Sequence, residues 1–141
     1  MKRKLLVASH GRLASGIQSS IEILAGCGQS LTVVDAYIDE HDHLQQIKDF
    51  VAGVADSEQG IIFSDLLGGS VNQQAATAVM SSGKDNIFLV TNANLATVLA
   101  TIFCKPNEPL LESDLQTVIE ESRVQLVNLS QPAAQEDDFF E

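Results

Sequence analysis

The sequence predicts an α/β domain, a doubly wound and mainly parallel sheet of about four strands with one further strand at its C-terminal edge. Three observations carry that expectation. Short apolar runs at 4–9, 31–36, 60–64 and 86–91 are continuous rather than alternating, which is how strands covered on both faces read. The stretches between them repeat apolar residues at helical spacing, as crossover helices do. Near the end of the chain, Arg123-Val124-Gln125-Leu126-Val127-Asn128-Leu129 alternates polar with apolar, the pattern of a strand buried on one face at a sheet edge.

Taken in order, the first strand stops at Ser9-His10-Gly11-Arg12, and Leu13, Ile17, Ile21 and Leu24 then form the apolar stripe of the first helix. Gly26-Cys27-Gly28 ends that helix with residues that tolerate positive φ. After the second strand, Asp42 is placed to cap a helix whose stripe is Leu44, Ile47, Val51 and Val54. Ser57-Glu58-Gln59-Gly60 turns the chain into the third strand. A third helix runs from about Asn72 to Met80 and is punctuated by Ser82-Gly83-Lys84. Asn94 to Phe103 follows the fourth strand, Pro106 and Pro109 bracket a break, and Ser113-Asp114 opens a last helix that ends near Glu121. No internal repeat or low-complexity segment is present.

A chain of 141 residues with 45% hydrophobic content suits one domain, here expected over 1–130. Residues 131–141, with Glu136, Asp137, Asp138 and Glu141, read as an acidic, disordered tail. The net charge of -11 with only eight basic residues excludes a nucleic-acid binder, which needs clustered Lys and Arg against phosphates. No signal peptide and no apolar run of about 18 residues is found, so a soluble, cytoplasmic protein is expected. Cys27 and Cys104 lack metal-ligand spacing and read as packed free thiols. His41 and His43, in Asp39-Glu40-His41-Asp42-His43, read as a solvated helix start, so no metal is expected. No cofactor is expected either, since neither Gly-x-Gly-x-x-Gly after the first strand nor a Gly-x-x-x-x-Gly-Lys-Ser/Thr loop occurs.

The chemistry gathers at two strand ends. Open parallel sheets react with ligands in the crevice outside the carboxyl ends of their strands, so His10 is presented rather than packed. Ser9 and Gly11 beside it are small and leave a partner room to approach. The third strand ends in Ser64-Asp65-Leu66-Leu67-Gly68-Gly69-Ser70. An imidazole that acts as a nucleophile must be unprotonated on the attacking nitrogen, and a carboxylate on the other nitrogen fixes that tautomer. Asp65 is the candidate for this task. Gly68, Gly69 and Ser70 precede a helix, whose free N–H groups and positive dipole end attract an oxyanion. Ser70 also suits a plain N-cap. A Ser/His/Asp hydrolase is a further reading, with Ser70 as nucleophile, although no Gly-x-Ser-x-Gly elbow is present.

Ser9-His10-Gly11 with Leu13, Ala14 and Gly16, followed by Asp65-Leu66-Leu67-Gly68-Gly69-Ser70, resembles the mannose-type enzyme IIA of the bacterial phosphoenolpyruvate-dependent sugar phosphotransferase system. The resemblance covers nearly the whole chain. It implies that His10 accepts a phosphoryl group from the histidine-containing phosphocarrier protein and passes it to enzyme IIB, with Asp65 orienting the ring. Ser9, Gly11, Gly68, Gly69 and Ser70 would then surround the phosphoryl group. It implies a homodimer whose last strand, 123–129, pairs with the neighbouring subunit's sheet. Enzyme IIB is expected on a separate chain, and contact with the membrane only through the IIC and IID components. Many members carry proline directly after Gly-Gly-Ser, whereas this chain has Val71, which keeps a backbone N–H. A regulatory binding module of the same fold, phosphorylated without onward transfer, is the alternative class.

Overall fold

The computed structural model describes residues 2–130, so the expected acidic tail at 131–141 lies outside the described residues. Four strands, β1 (Lys2–His10), β2 (Leu31–Ala36), β3 (Glu58–Ser64) and β4 (Ile87–Val90), form one sheet in the order β2-β1-β3-β4. All three pairings are parallel. The helices are α1 (Leu13–Ala25), α2 (His43–Ala52), α3 (Ser70–Ser82), α4 (Leu95–Phe103) and α5 (Glu112–Glu121). The α/β class, the parallel sheet and every expected helix are therefore present.

Alternation along β1 explains why both faces of the sheet are covered. Successive side chains point to opposite faces, so Leu5 and Val7 pack with Ala14, Ile17 and Ile21 of α1, Val98 of α4 and Leu115 of α5. Leu6 and Ala8 pack instead with Ile47 and Val51 of α2 and Val71 and Ala75 of α3. The chain leaves β1 towards β2 on one side and returns to β3 on the other. The switch point of the sheet thus lies between β1 and β3, where ligands bind in folds of this kind.

Two local expectations need correction, and a third is not met within the single chain. The buried stripe of α1 is Ala14, Ile17 and Ile21, while Leu13 and Leu24 are 49% and 60% exposed. A helix packed on a sheet this closely takes a small residue at its first contact, and Ala14 supplies it. Helix α3 begins at Ser70, with Gly69 as its N-cap and no side-chain cap, so Ser70 is not the capping residue. The fifth strand is absent from the sheet of the single chain: 123–129 pairs with none of the four strands, and Val124 and Leu126 are 90% and 100% exposed. Alternating apolar residues specify a strand only where a second surface covers them, and nothing among the described residues does so. The expected caps hold elsewhere. Asp42 accepts the Gln45 N–H at the start of α2, and Gly26 and Gly83 close α1 and α3 in the left-handed conformation.

Candidate functional site

His10 is the last residue of β1, and the register that pairs Ala8 with Ser64 brings it against Asp65, one residue beyond β3. One carboxylate oxygen of Asp65 meets it twice. Oδ2 accepts the His10 backbone N–H at 2.8 Å and lies 3.0 Å from ring Nδ1. An ionised Asp65 accepts and cannot donate, so Nδ1 carries the proton and Nε2 is left with its lone pair. The imidazole is 37% exposed while the carboxylate beneath it is 9% exposed. Burial pushes the Asp65 carboxyl up, but the backbone N–H and the ring of His10 together outweigh it and hold the group below its ordinary range.

The loop after Asp65 is pinned from both sides. Ser64 Oγ donates to Asn72 Oδ1 at 2.6 Å, Asn72 Nδ2 donates to the Leu67 carbonyl at 3.0 Å, and the Leu67 N–H donates to Asn92 Oδ1 at 2.9 Å. Gly69 rests against the imidazole so closely that a Cβ there would lie 2.8 Å from His10 Cε1. The first intrahelical bond of α3 runs from Gln73 N–H to Gly69 O at 3.1 Å. The N–H groups of Ser70, Val71 and Asn72 therefore open the helix without intrahelical acceptors, at the end where Gly69 and Ser70 meet the imidazole. Ser70 Oγ sits 3.4 Å from Nε2 and 2.7 Å from the hydroxyl of Tyr37.

The structure brings together His10, Asp65, Gly69 and Ser70, and separates Ser9 and Gly11 from them. Ser9 is buried, and its hydroxyl accepts the Ala14 N–H at 2.8 Å. Gly11, at φ +63°, donates its N–H to the Ala36 carbonyl at 2.9 Å. Both hold the β1–α1 turn and have no free donor. Gly68 has open space around its Cα. The sequence reading missed Tyr37, just past the end of β2, whose ring stacks on His10 with centroids 5.5 Å apart and planes at 21°. The strand-end rule that selected His10 and Asp65 applies equally to β2 and would have found it.

Among the described residues no three His, Cys, Asp or Glu side chains gather as metal ligands would. No helix among them is long and apolar enough to cross a membrane. The groove between α2 and α3, about 630 Å³, reaches the site only through Ser70. Chemically, the arrangement can offer one nucleophilic imidazole nitrogen to an anionic group and surround that group with N–H and O–H donors.

That combination, a doubly wound sheet with a carboxylate-held histidine at its switch point, defines the class of domain. Residues 4–119 match the family model of the PTS system fructose IIA component, EIIA-man, and the chain belongs to that family. It is a IIA component of a sugar phosphotransferase system. The fold is similar to that of EIIA from Streptococcus agalactiae, at 20% identity and a TM-score of 0.73 over 91% of this chain and 98% of that one. It is also similar to the mannose/sorbose-specific IIA subunit from Enterococcus faecalis, at 23% identity and a TM-score of 0.70 over 94% and 99%. A PTS IIA protein associated with the fucose utilization operon of Streptococcus pneumoniae matches at 22% identity and a TM-score of 0.70 over 89% and 93%. No curated protein sequence matches this chain.

Proposed function

We propose that this chain carries a phosphoryl group on Nε2 of His10, taking it from the histidine-containing phosphocarrier protein and passing it to enzyme IIB on the way to a sugar. The observation that supports this most directly is the pair of contacts from Asp65 Oδ2 to the backbone and Nδ1 of His10, at 2.8 and 3.0 Å. They leave Nε2 as the attacking atom. Its lone pair forms the new N–P bond as the N–P bond to the donor's histidine breaks, and that electron pair returns to the donor ring. The Nδ1 proton stays in place, so the phosphorylated ring is cationic and Asp65 is its counter-charge. Ser70 and the open N–H groups of α3 meet the phosphoryl oxygens. Positioning and electrostatics then carry the rate, as in phosphoryl transfer generally.

The surroundings fit protein partners. Leu13, Ile38, Leu66 and Leu67 are exposed apolar residues on segments that border the site, and the net charge of -11 favours partners with basic docking faces. In this reading the protein works as a cytoplasmic domain over 1–130 with 131–141 as its tail. The uncovered 123–129 segment supports a homodimer in which it joins a second copy's sheet. Sedimentation of the full chain as a monomer at micromolar concentration would remove that part.

A second reading has one observation in its favour, since Asp65, His10 and Ser70 are aligned as a Ser/His/Asp relay. Ser70 Oγ is 3.4 Å from Nε2, beyond the usual reach of a nucleophile–base hydrogen bond, and it is already held by Tyr37. Phosphotransfer is therefore preferred. The test is intact mass of the wild type and His10→Gln incubated with phosphoenolpyruvate, enzyme I and the phosphocarrier protein. One acid-labile phosphoryl group on the wild type alone is expected. No adduct on the wild type, with the donor itself phosphorylated, would falsify the proposal.

A further inference from the structure

We propose that Tyr37 is a positioning residue of the phosphoryl site, setting the plane of the His10 imidazole with its ring and the place of the Ser70 hydroxyl with its own; this rests on the function proposed above. Three independent features of Tyr37 converge on one spot. Its φ is +67°, a backbone conformation that side chains other than glycine, asparagine and aspartate rarely adopt. Its ring stacks on the His10 imidazole and also meets the ring of His43, with centroids 4.6 Å apart. Its hydroxyl is 2.7 Å from Ser70 Oγ. Core packing does not account for the strained backbone, because Tyr37 is 58% exposed. Strain of this kind persists where surrounding contacts over-determine it, and functional sites are where it gathers.

The charge balance explains why such a residue is useful. No lysine or arginine hydrogen-bonds or ion-pairs to His10, Asp65, Ser70 or Tyr37 among the described residues. The donors that the structure sets at Nε2 are neutral, the Ser70 hydroxyl first among them, so their placement decides how well they meet a phosphoryl group. With the ring proton on Nδ1, Nε2 can only accept, so the Ser70 O–H is the donor to it and the Tyr37 O–H the donor to Ser70 Oγ. When the N–P bond forms, that lone pair is consumed and the Ser70 hydroxyl turns to a phosphoryl oxygen. Tyr37 keeps Ser70 Oγ in place throughout, and no proton changes owner.

The experiment uses phosphoramidate, a small donor whose P–N bond to ammonia breaks as the bond to His10 forms, so that docking of a protein partner plays no part. Uptake is followed by intact mass for the wild type, Tyr37→Phe, Ser70→Ala and the double variant. Tyr37→Phe keeps the ring and removes only the hydroxyl. It should slow uptake by up to about 10-fold, the upper weight of one neutral hydrogen bond. The double variant should be no slower than Ser70→Ala, because the phenol acts through Ser70. The chain has one tyrosine and no tryptophan, so its intrinsic emission reports this residue alone, and it should change on phosphorylation of the wild type. Wild-type uptake by Tyr37→Phe, or fully additive effects in the double variant, would overturn the inference by itself. A wild type that accepts phosphoryl from neither phosphoramidate nor the phosphocarrier protein would overturn both it and the function on which it rests.

Discussion

The two loops that meet at His10 are built in opposite ways. In the turn from β1 to α1 the groups nearest His10 are bonded within the fold: Ser9 Oγ accepts from Ala14, Gly11 donates to Ala36, and the Ser15 N–H donates to Asp35 Oδ1 at 3.0 Å. In the loop from β3 to α3 they are left open, with the Ser70, Val71 and Asn72 N–H groups free of acceptors and the Ser70 hydroxyl turned to Nε2. Both loops contain serine and glycine next to a helix start, so composition does not distinguish them. The difference is what separates a loop that holds a nucleophile still from one that can receive an anion.

The largest effect should come from the residue that joins the two loops. In Asp65→Asn the amide oxygen can take the place of Oδ2 and keep both contacts to His10, while the amide NH₂ falls where Oδ1 is buried without a partner. The fold is then preserved and the counter-charge to a phosphorylated ring is lost. Phosphoryl uptake should fall by about 10²–10⁴-fold, the usual weight of an acid–base or orienting group. The pH dependence has a definite sign. Because the folded pKa of Asp65 lies below its ordinary value, its stabilisation is complete above the unfolded pKa and is lost as pH falls through the folded one. Thermal unfolding between about pH 3 and 7 should show a shallower acid limb in Asp65→Asn than in the wild type.

The next effect sets two glycines against each other. A Cβ at Gly69 would meet His10 Cε1 at 2.8 Å, and Gly69 has a negative φ of -80°, so alanine there displaces the imidazole without straining the backbone. A misplacement of this size should cost about 10²-fold in uptake. At Gly11 the reverse holds, since nothing lies within 4 Å of a Cβ but φ is +63°. Gly11→Ala should cost about 1–2 kcal/mol of stability, the left-handed penalty of an L side chain. Uptake rates and unfolding midpoints on the two variants would show the contrast, and equal loss of activity in both would break it.

How much of this the sequence disclosed follows from the range of each signal. Continuous apolar runs are local, and β2 falls at 31–36 as read, while β1 and β3 extend past the apolar run because Lys2, Arg3, Glu58 and Gln59 pair as backbone and keep their polar ends outside or bonded. Strand-end position was enough to single out His10 and Asp65. Which groups remain free was not legible, since it depends on partners far along the chain: Gly11 on Ala36, Ser70 on Tyr37. Tyr37 lay within reach of the same strand-end rule, just past β2, whereas its positive φ leaves no mark on composition. The 123–129 segment keeps its alternating pattern, but pairing depends on a surface that the described residues do not provide.

The smallest effect discriminates most sharply, because it falls on a residue that lies next to His10 in sequence. Ser9 and His10 point to opposite faces of β1, as consecutive strand residues must. The Ser9 hydroxyl is consequently turned into the start of α1, where it satisfies the Ala14 N–H that the helix itself cannot. Ser9→Ala leaves that buried donor without a partner and should cost about 1 kcal/mol, as loss of a helix-capping hydroxyl does. It removes no donor from Nε2, so phosphoryl uptake measured well below the unfolding midpoint should stay within about 2-fold of the wild type. An uptake loss comparable to that of Ser70→Ala would mean that the β1–α1 turn also receives the anion, and the division between the two loops would fail.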